Sequence, residues 1–281
     1  YAGWGKRLRW PDDYFQLSLQ LSYQRYILKN WRYFFVMSNG TANNLSLNIT
    51  LNRSSTDNQL FPRTGSEFTA SLSITPPWSK FDKKDYKHLA NDRFSATYQQ
   101  EQQEKYRWVE YHKWKFKART FTALSNGNKC FVLMTRVEFG LLGSYNKYKK
   151  SPFETFYMGG DGMSGYSSNY AQETIGLRGY DNGQLTQHGE GYAYDRMTLE
   201  LRYPLLLGNT TIYGLGFLEA GNAWTETSKF NPFDMKRSAG IGVRIFLPMV
   251  GMMGIDWAYG FDKVFGKKGG SQFHFILGQE F

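Results

Sequence analysis

Apolar side chains recur at every second position in many separate runs of this chain. A period of two marks one face of a β-strand, because successive side chains point to opposite faces. The runs lie near residues 15–21, 31–37, 45–51, 68–74, 113–119, 131–139, 197–203, 210–221, 237–247, 251–260 and 271–281. They predict about eleven strands in an antiparallel meander, an all-β fold with no convincing helix.

The face opposite the apolar one is only mildly polar in several of these strands. Between residues 45 and 74 it carries mainly Ser, Thr and Asn. A soluble β-sandwich would bury its apolar face and charge the other, whereas a membrane barrel turns the apolar face to lipid. The chain has no run of about 18 apolar residues, which excludes a transmembrane helix. The sequence therefore predicts a transmembrane β-barrel rather than a soluble all-β domain.

The connections between predicted strands alternate in length. Short turns fall near Lys29, Ser125, Gly208 and Pro248, and long connections at 76–107, 144–192 and 223–235. We interpret 76–107 mainly as loop, with 99–104 as a possible helix. Eleven strands that end on the short-turn side place Tyr1 on the long-loop side. Bacterial single-chain barrels have an even number of strands, so we expect residues 1–281 to be the C-terminal portion of a larger barrel.

Arg178 lies between structure-breaking residues in an otherwise neutral loop. It is either a solvated cation or a group that the loop delivers to a particular partner. Strand parity supplies candidate partners, since Glu200 lies opposite the apolar face of its strand and Glu219 shares a face with Phe217. A charge on the lipid face costs about 2–4 kcal/mol at the bilayer midplane, so both acids should point inward.

Four elements in chain order resemble the BamA family of outer-membrane assembly factors. They are FPRTGS at 61–66, FETFYMGG at 153–160 with LRGY at 177–180, RSAGIG at 237–242, and the final strand 273–281. The resemblance covers roughly residues 14–281. The amino-acid sequence of these elements is most similar to that of Bacteroidetes-type members. The segments 76–107 and 166–174 depart from the family pattern, so the resemblance assigns them no role.

The resemblance implies a sixteen-stranded barrel, preceded by periplasmic POTRA modules, that folds and inserts nascent β-barrel proteins into the bacterial outer membrane. Neither those modules nor the first strands occur in this sequence. The implied partners are client barrels, accessory subunits, and the lipid and lipopolysaccharide of the outer membrane. The implied loop motif is Leu177, Arg178, Gly179 and Tyr180, threaded into the lumen. Its Arg would pair with Glu200 and Glu219 beside Phe217.

The final strand presents an apolar ladder. Phe273, Phe275, Leu277 and Phe281 share one face, and Gly278 is a weak point because it contributes no side-chain packing. The resemblance implies that this strand borders a lateral seam whose unpaired edge can template an incoming strand. The alternative is an ordinary closing strand, which every barrel has.

The net charge of +10 invites a search for anionic partners. The strand at 113–119 carries Lys113, Lys115, Lys117 and Arg119 on one face. This face could be a cationic lumen near lipopolysaccharide, or a solvated face balanced by Glu138 and Asp256. Nucleic acid is disfavoured, because the interleaved aromatic residues are needed on the opposite face of the strand.

Nothing in the sequence favours catalysis. The four histidines lack the spacing of a metal site, the single Cys130 lacks a positioned base, and no GxSxG motif occurs. We expect no catalytic residue, metal or cofactor. Two functions compete with barrel assembly: a related translocation, autotransporter-assembly or secretion barrel, which would share the loop motif, and a passive porin-like channel, which has no need of it. An outer-membrane hydrolase is more remote.

Overall fold

The computed structural model describes residues 1–30, 39–92, 94–127, 129–162, 172–186 and 190–278. Its strands are β1 (Ala2–Arg7), β2 (Phe15–Leu28), β3 (Gly40–Ser54), β4 (Gly65–Ile74), β5 (His112–Ala123), β6 (Val132–Gly143), β7 (Phe156–Met158), β8 (Glu173–Ile175), β9 (Ala193–Leu206), β10 (Thr211–Trp224), β11 (Lys236–Leu247), β12 (Gly251–Gly260), β13 (Lys263–Val264), β14 (Lys267–Lys268) and β15 (Ser271–Leu277). Eleven of them form one antiparallel sheet in the order β1-β2-β3-β4-β5-β6-β9-β10-β11-β12-β15. The predicted all-β meander is confirmed.

The remaining elements lie in the connections. β7 and β8 pair in parallel, and β13 and β14 form a small hairpin between β12 and β15. The helices are α1 (Trp78–Phe81) and α2 (Tyr98–Tyr106), with a 3₁₀ turn at Thr227–Lys229. None of the helices in the described ranges is long and apolar enough to cross a membrane.

The two faces of the sheet carry opposite chemistry. Leu199 and Leu201 on β9 are 41% and 42% exposed, whereas Glu200 between them is 5% exposed. Phe273 and Phe275 on β15 are likewise exposed, and His274 is buried. The outer face is therefore apolar and the inner face charged. This arrangement is the inverse of that in a soluble domain, and a protein surrounded by lipid requires it.

Aromatic and apolar side chains fill the lumen at both ends. One buried cluster lies on the long-loop side and includes Phe153, Phe156 and Tyr180. The other lies toward the short-turn side, where the β3–β4 turn inserts Phe61 with its ring 5.2 Å from that of Tyr213. The lumen therefore has a packed core at each end, as small barrels do.

Two details of the sequence interpretation were wrong, and a third lies outside the described residues. Residues 2–7, interpreted as turn-like, form β1, which pairs with β2 although its glycines break the apolar alternation. The expected strand at 31–37 lies outside the described residues. Leu28 pairs with Gly40, so the connection near Lys29 lies on the long-loop side. The short-turn side instead holds the connections 8–14 and 55–64.

The segment 76–107 is also more ordered than expected. Its α2 consists largely of Gln and Glu, which lose little side-chain freedom in a helix. Gln103 ties it to β3 through hydrogen bonds of 2.6 Å with the backbone N–H and C=O of Thr41. Just beyond it, the buried Glu110 accepts hydrogen bonds of 2.7 Å from the backbone N–H and hydroxyl of Ser79. The segment is a structured cap on the rim of the sheet.

The lipid-facing assignment of β9 predicts a position-dependent cost. Leu199→Arg, near the middle of the strand, should destabilise the protein by about 2–4 kcal/mol, because the cation would enter hydrocarbon. The matched variant Leu207→Arg, at the short-turn rim, should cost only about 0–1 kcal/mol. Urea unfolding of the full-length protein in phospholipid vesicles measures both. Equal costs at the two positions would contradict the assignment.

Candidate functional site

The connection between β6 and β9, residues 144–192, is termed the internal loop. Parallel pairing of β7 with β8 folds it back on itself, and the N–H of Leu177 donates to the carbonyl of Gly160 at 3.0 Å. The N–H of Gly159 donates to the carbonyl of Ile175 at 2.9 Å. Because these backbone groups are satisfied within the loop, it can occupy a buried position without losing hydrogen bonds.

The motif at 177–180 is the most enclosed part of this loop. Leu177 and Tyr180 are 0% exposed, and Arg178 is 4% exposed. The hydroxyl of Tyr180 donates to the backbone carbonyl of Arg237 at 2.7 Å, at the start of β11. Burial raises the pKa of Tyr180 to about 12, so this hydroxyl remains a donor throughout the physiological pH range.

Arg178 contacts a carboxylate on each of three strands. Its Nη2 donates to Glu200 Oε1 on β9 at 2.8 Å and to Glu219 Oε1 on β10 at 2.7 Å. Its Nη1 donates to Asp256 Oδ2 on β12 at 2.9 Å. Its backbone N–H donates to the second oxygen of Glu219 at 3.0 Å. One residue of the loop is thereby fastened to three strands of the inner wall.

Each of these carboxylates also contacts a second arginine. Glu219 accepts from Arg196 at 2.8 Å, and Glu200 pairs with Arg202 at 2.7 Å. Asp256 accepts from the two terminal nitrogens of Arg244 at 2.5 and 2.7 Å. We call this set the arginine network: Arg178, Arg196, Arg202, Arg244, Glu200, Glu219 and Asp256. Arg178 is its centre, and each of its three arms consists of an acid followed by an arginine.

An aromatic ring completes the site of Arg178. The guanidinium carbon lies 3.4 Å from the centroid of Phe217, a stacked cation–π contact in a desolvated position. Phe217 lies opposite Gly240 of β11, where an added Cβ would meet the ring at 2.4 Å. A Cβ at Gly242 would similarly meet the carboxylate of Asp256 at 1.7 Å. The two glycines of RSAGIG therefore make room for Phe217 and Asp256.

Electrostatics hold the buried guanidinium in its charged form. Burial alone would lower the pKa of Arg178, but the carboxylates of Glu219 and Glu200 keep this pKa well above its usual value. Taking such a charge out of water costs several kcal/mol, which only well-placed opposite charges and hydrogen bonds offset. The site is consequently sensitive to the loss of any single partner.

Gly179 is required by its backbone conformation and by its neighbours. Its φ is +88°, in the left-handed region that favours glycine. A Cβ there would lie 2.8 Å from the backbone nitrogen of Gly260. The loop backbone therefore packs directly on the end of β12, which explains a glycine immediately after the buried arginine.

The structure brings together the residues that the sequence analysis selected around Arg178: Glu200, Phe217 and Glu219. Asp256 was assigned wrongly as a counter-charge for the lysine face, since it pairs with Arg178 and Arg244. Its inward parity between Ile255 and Trp257 was the signal available in the sequence. The functional role of the motif stays a prediction.

The lysine face is neutralised locally. Lys113 and Lys115 pair with Glu173 of β8 at 2.8 and 2.9 Å, and Lys113 also contacts Glu154 at 3.3 Å. Lys117 lies 3.5 Å from Glu138, and Arg119 pairs with Glu67. The internal loop supplies two of these acids, so the lysines add a second electrostatic attachment of that loop to the wall.

The final strand has the expected orientation in its described part. Phe273, Phe275 and Leu277 are 68%, 58% and 59% exposed on the outer face. Gly278 was assigned wrongly to the strand, because β15 ends at Leu277 and Gly278 turns with φ +93°. Its N–H donates to the carbonyl of Met252 at 2.8 Å. Phe281 lies outside the described residues.

The His, Cys, Asp and Glu side chains do not gather into a metal-binding cluster in the described part of the chain. Across the described ranges, no group of three or more His, Cys, Asp and Glu side chains could hold a metal ion. His188 lies outside those ranges, and Cys130 is a buried free thiol.

Removal of the central guanidinium should be costly. We expect Arg178→Ala to destabilise the barrel by about 3–5 kcal/mol, because it leaves buried carboxylates uncompensated. The control is Arg237→Ala, which breaks a solvent-screened ion pair with Asp262 at an exposed position and should cost far less. Urea unfolding of the full-length protein in vesicles compares the two. Equal losses would contradict the central position of Arg178.

Gly179→Ala should destabilise the protein through its backbone. The left-handed conformation costs an L-residue about 1–2 kcal/mol, and the clash with the end of β12 adds to that. Gly214→Ala in β10 is the matched control, since an added Cβ there meets nothing within 4 Å. Its effect should stay within about 0.5 kcal/mol. The unfolding temperature, read from heat-modifiable electrophoretic mobility, should fall in Gly179→Ala and stay unchanged in Gly214→Ala.

Comparisons with known proteins agree with this architecture. No curated protein sequence matches the chain. Among solved structures, the crystal structure of BamA from Haemophilus ducreyi lacking POTRA domains 1–3 is similar, with a TM-score of 0.64 and 17% sequence identity. The match covers 97% of this chain and 52% of that one, so the chain spans about half the length of that relative. The Omp85 superfamily domain matches residues 5–281, and the chain therefore belongs to the Omp85 superfamily of outer-membrane β-barrel proteins.

Proposed function

We propose that the chain is the C-terminal portion of a sixteen-stranded, BamA-type barrel that folds other β-barrel proteins and inserts them into the outer membrane. Its partners would be nascent barrels, accessory assembly subunits, and the lipid and lipopolysaccharide around it. The assignment to a Bacteroidetes-type member, which rests on sequence similarity alone, stays a prediction.

One observation carries this proposal: an internal loop that buried ion pairs fasten to the inner wall, beside the last strand of the sheet. The arginine network fastens the internal loop to β9, β10 and β12. β15 pairs with β12 and, within the described part of the chain, with no other strand. A stiff wall next to a seam between the last and first strands of the barrel is the combination that templated insertion needs.

The mechanism that we propose is non-enzymatic and uses no metal or nucleotide. When the seam between β15 and the first strand of the barrel opens, the edge of β15 would offer a row of backbone N–H and C=O groups, which are costly to leave unpaired in hydrocarbon. An unfolded client strand that pairs with this edge satisfies both chains at once by β-augmentation. Successive client strands then add in the same way until the client closes its own barrel.

Two alternative functions, a translocation barrel and a passive porin, differ from barrel assembly in what crosses the membrane through the barrel. A translocation or secretion barrel would share the superfamily and the loop motif, but would move an unfolded chain across the membrane. A passive porin would conduct ions steadily. The packed clusters at both ends of the lumen and the ion pairs that hold the internal loop favour a filled lumen over a permanent pore.

Reconstitution of the full-length protein tests the proposal. The full-length protein in phospholipid vesicles should accelerate the folding of a urea-unfolded client barrel, followed by its heat-modifiable mobility and protease resistance. Arg178→Ala should reduce this acceleration, because the braced wall loosens, whereas Arg237→Ala should retain it. Empty vesicles and vesicles with an unrelated closed barrel are the controls.

The outcomes separate the candidates. Folded client in the vesicle membrane supports assembly. Client protected inside the vesicle lumen identifies a translocation barrel instead. Steady ion conductance without any effect on client folding identifies a passive channel, and either of these two results contradicts the proposed function.

A further inference from the structure

The internal loop also contacts the terminal strand, at a point next to Arg178. The backbone N–H of Gly179 donates to Nε2 of His274 at 2.8 Å, and Nε2 of Gln272 donates to Oδ1 of Asp181 at 2.9 Å. We propose that His274 and Gln272 are positioning residues that tie the edge strand β15 to the internal loop, and that this tie opens when a client strand is inserted. The second half of this inference rests on the proposed function.

The contact of His274 has a defined chemistry. Because Nε2 accepts a hydrogen bond from an N–H group, the imidazole is neutral and carries its proton on Nδ1. His274 is 5% exposed, and Gly179 lies between the buried residues Arg178 and Tyr180. A buried N–H that loses its acceptor costs more than the bond contributes, so the imidazole specifies where β15 lies against the loop.

β15 is held to the sheet by its pairing with β12 and to the internal loop by side-chain hydrogen bonds. It pairs with β12 along its seven residues and, in the described ranges, has no strand on its other side. By contrast, β9 pairs with both β6 and β10. The two hydrogen bonds to the loop add an inward attachment to the pairing with β12, while Phe273 and Phe275 face outward.

Three residues of the loop, Arg178, Gly179 and Asp181, therefore join two parts of the wall. Arg178 binds β9, β10 and β12 through buried ion pairs, whereas Gly179 and Asp181 bind β15 through single hydrogen bonds. The first attachment is strong and the second is weak. Movement of β15 can consequently break the weak attachment and leave the arginine network intact.

Hydrogen exchange tests the tie independently of any assembly activity. His274→Leu in the full-length protein removes the acceptor, and the amides of residues 271–277 should then exchange about 2- to 12-fold faster, the effect of one net hydrogen bond. His274→Gln, whose amide oxygen can accept, should restore slow exchange. Gln272→Ala, at the accessible end of the strand, should accelerate exchange without disturbing the buried site. Unchanged exchange in both His274→Leu and Gln272→Ala would overturn the tie.

Cross-linking tests whether the tie must open. Asp181→Cys with Gln272→Cys, joined by a short dithiol-reactive reagent, should lower client insertion in reconstituted vesicles, and reduction should restore it. Arg237→Cys with Asp262→Cys joins β11 to the next connection on the same rim, and this cross-link should leave insertion unchanged. Full insertion activity in the cross-linked Asp181/Gln272 variant would overturn the opening step. If the unaltered protein inserts no client, the proposed function fails, while the exchange result still decides the tie.

Discussion

The burial of one positive charge governs this structure. Arg178 retains 4% of its exposure, and a guanidinium in such a place is tolerated only where several acceptors surround it. Three strands each contribute one carboxylate, and β10 adds the ring of Phe217. The positions of the loop, the inward acids and the glycines of β11 all follow from keeping that one charge satisfied.

Much of this could be predicted from alternation alone. In a strand the side-chain period is two, so apolar neighbours on a lipid face assign Glu200 to the lumen without any knowledge of the partner. The same reasoning assigned Glu219 and the outward ladder of Phe273, Phe275 and Leu277. These assignments are local, because each depends only on residues one or two positions away.

The parts that could not be predicted depend on distant pairing or on turn geometry. β1 has a weak apolar period and is held as a strand by its pairing with β2. Asp256 was assigned the lysine face as its partner rather than Arg178 and Arg244, because parity gives a direction and no distance. Gly278 was assigned to the strand because a single glycine in a sequence does not reveal a positive φ. The contact between Gly179 and His274 could not be predicted from residue types, because its donor is a backbone N–H, which every residue except proline has.

The arginine network can form only when the strands of the sheet pair in the correct register. Its acids lie on β9, β10 and β12, with β11 between the last two, and their distances to Arg178 depend on the register of three successive strand pairs. A slip of one residue in any of those pairs would turn an acid toward lipid and leave the guanidinium short of a partner. The network thus acts as a register check, satisfied by one alignment of four strands, and the energy of one buried charge discriminates against the misaligned sheets.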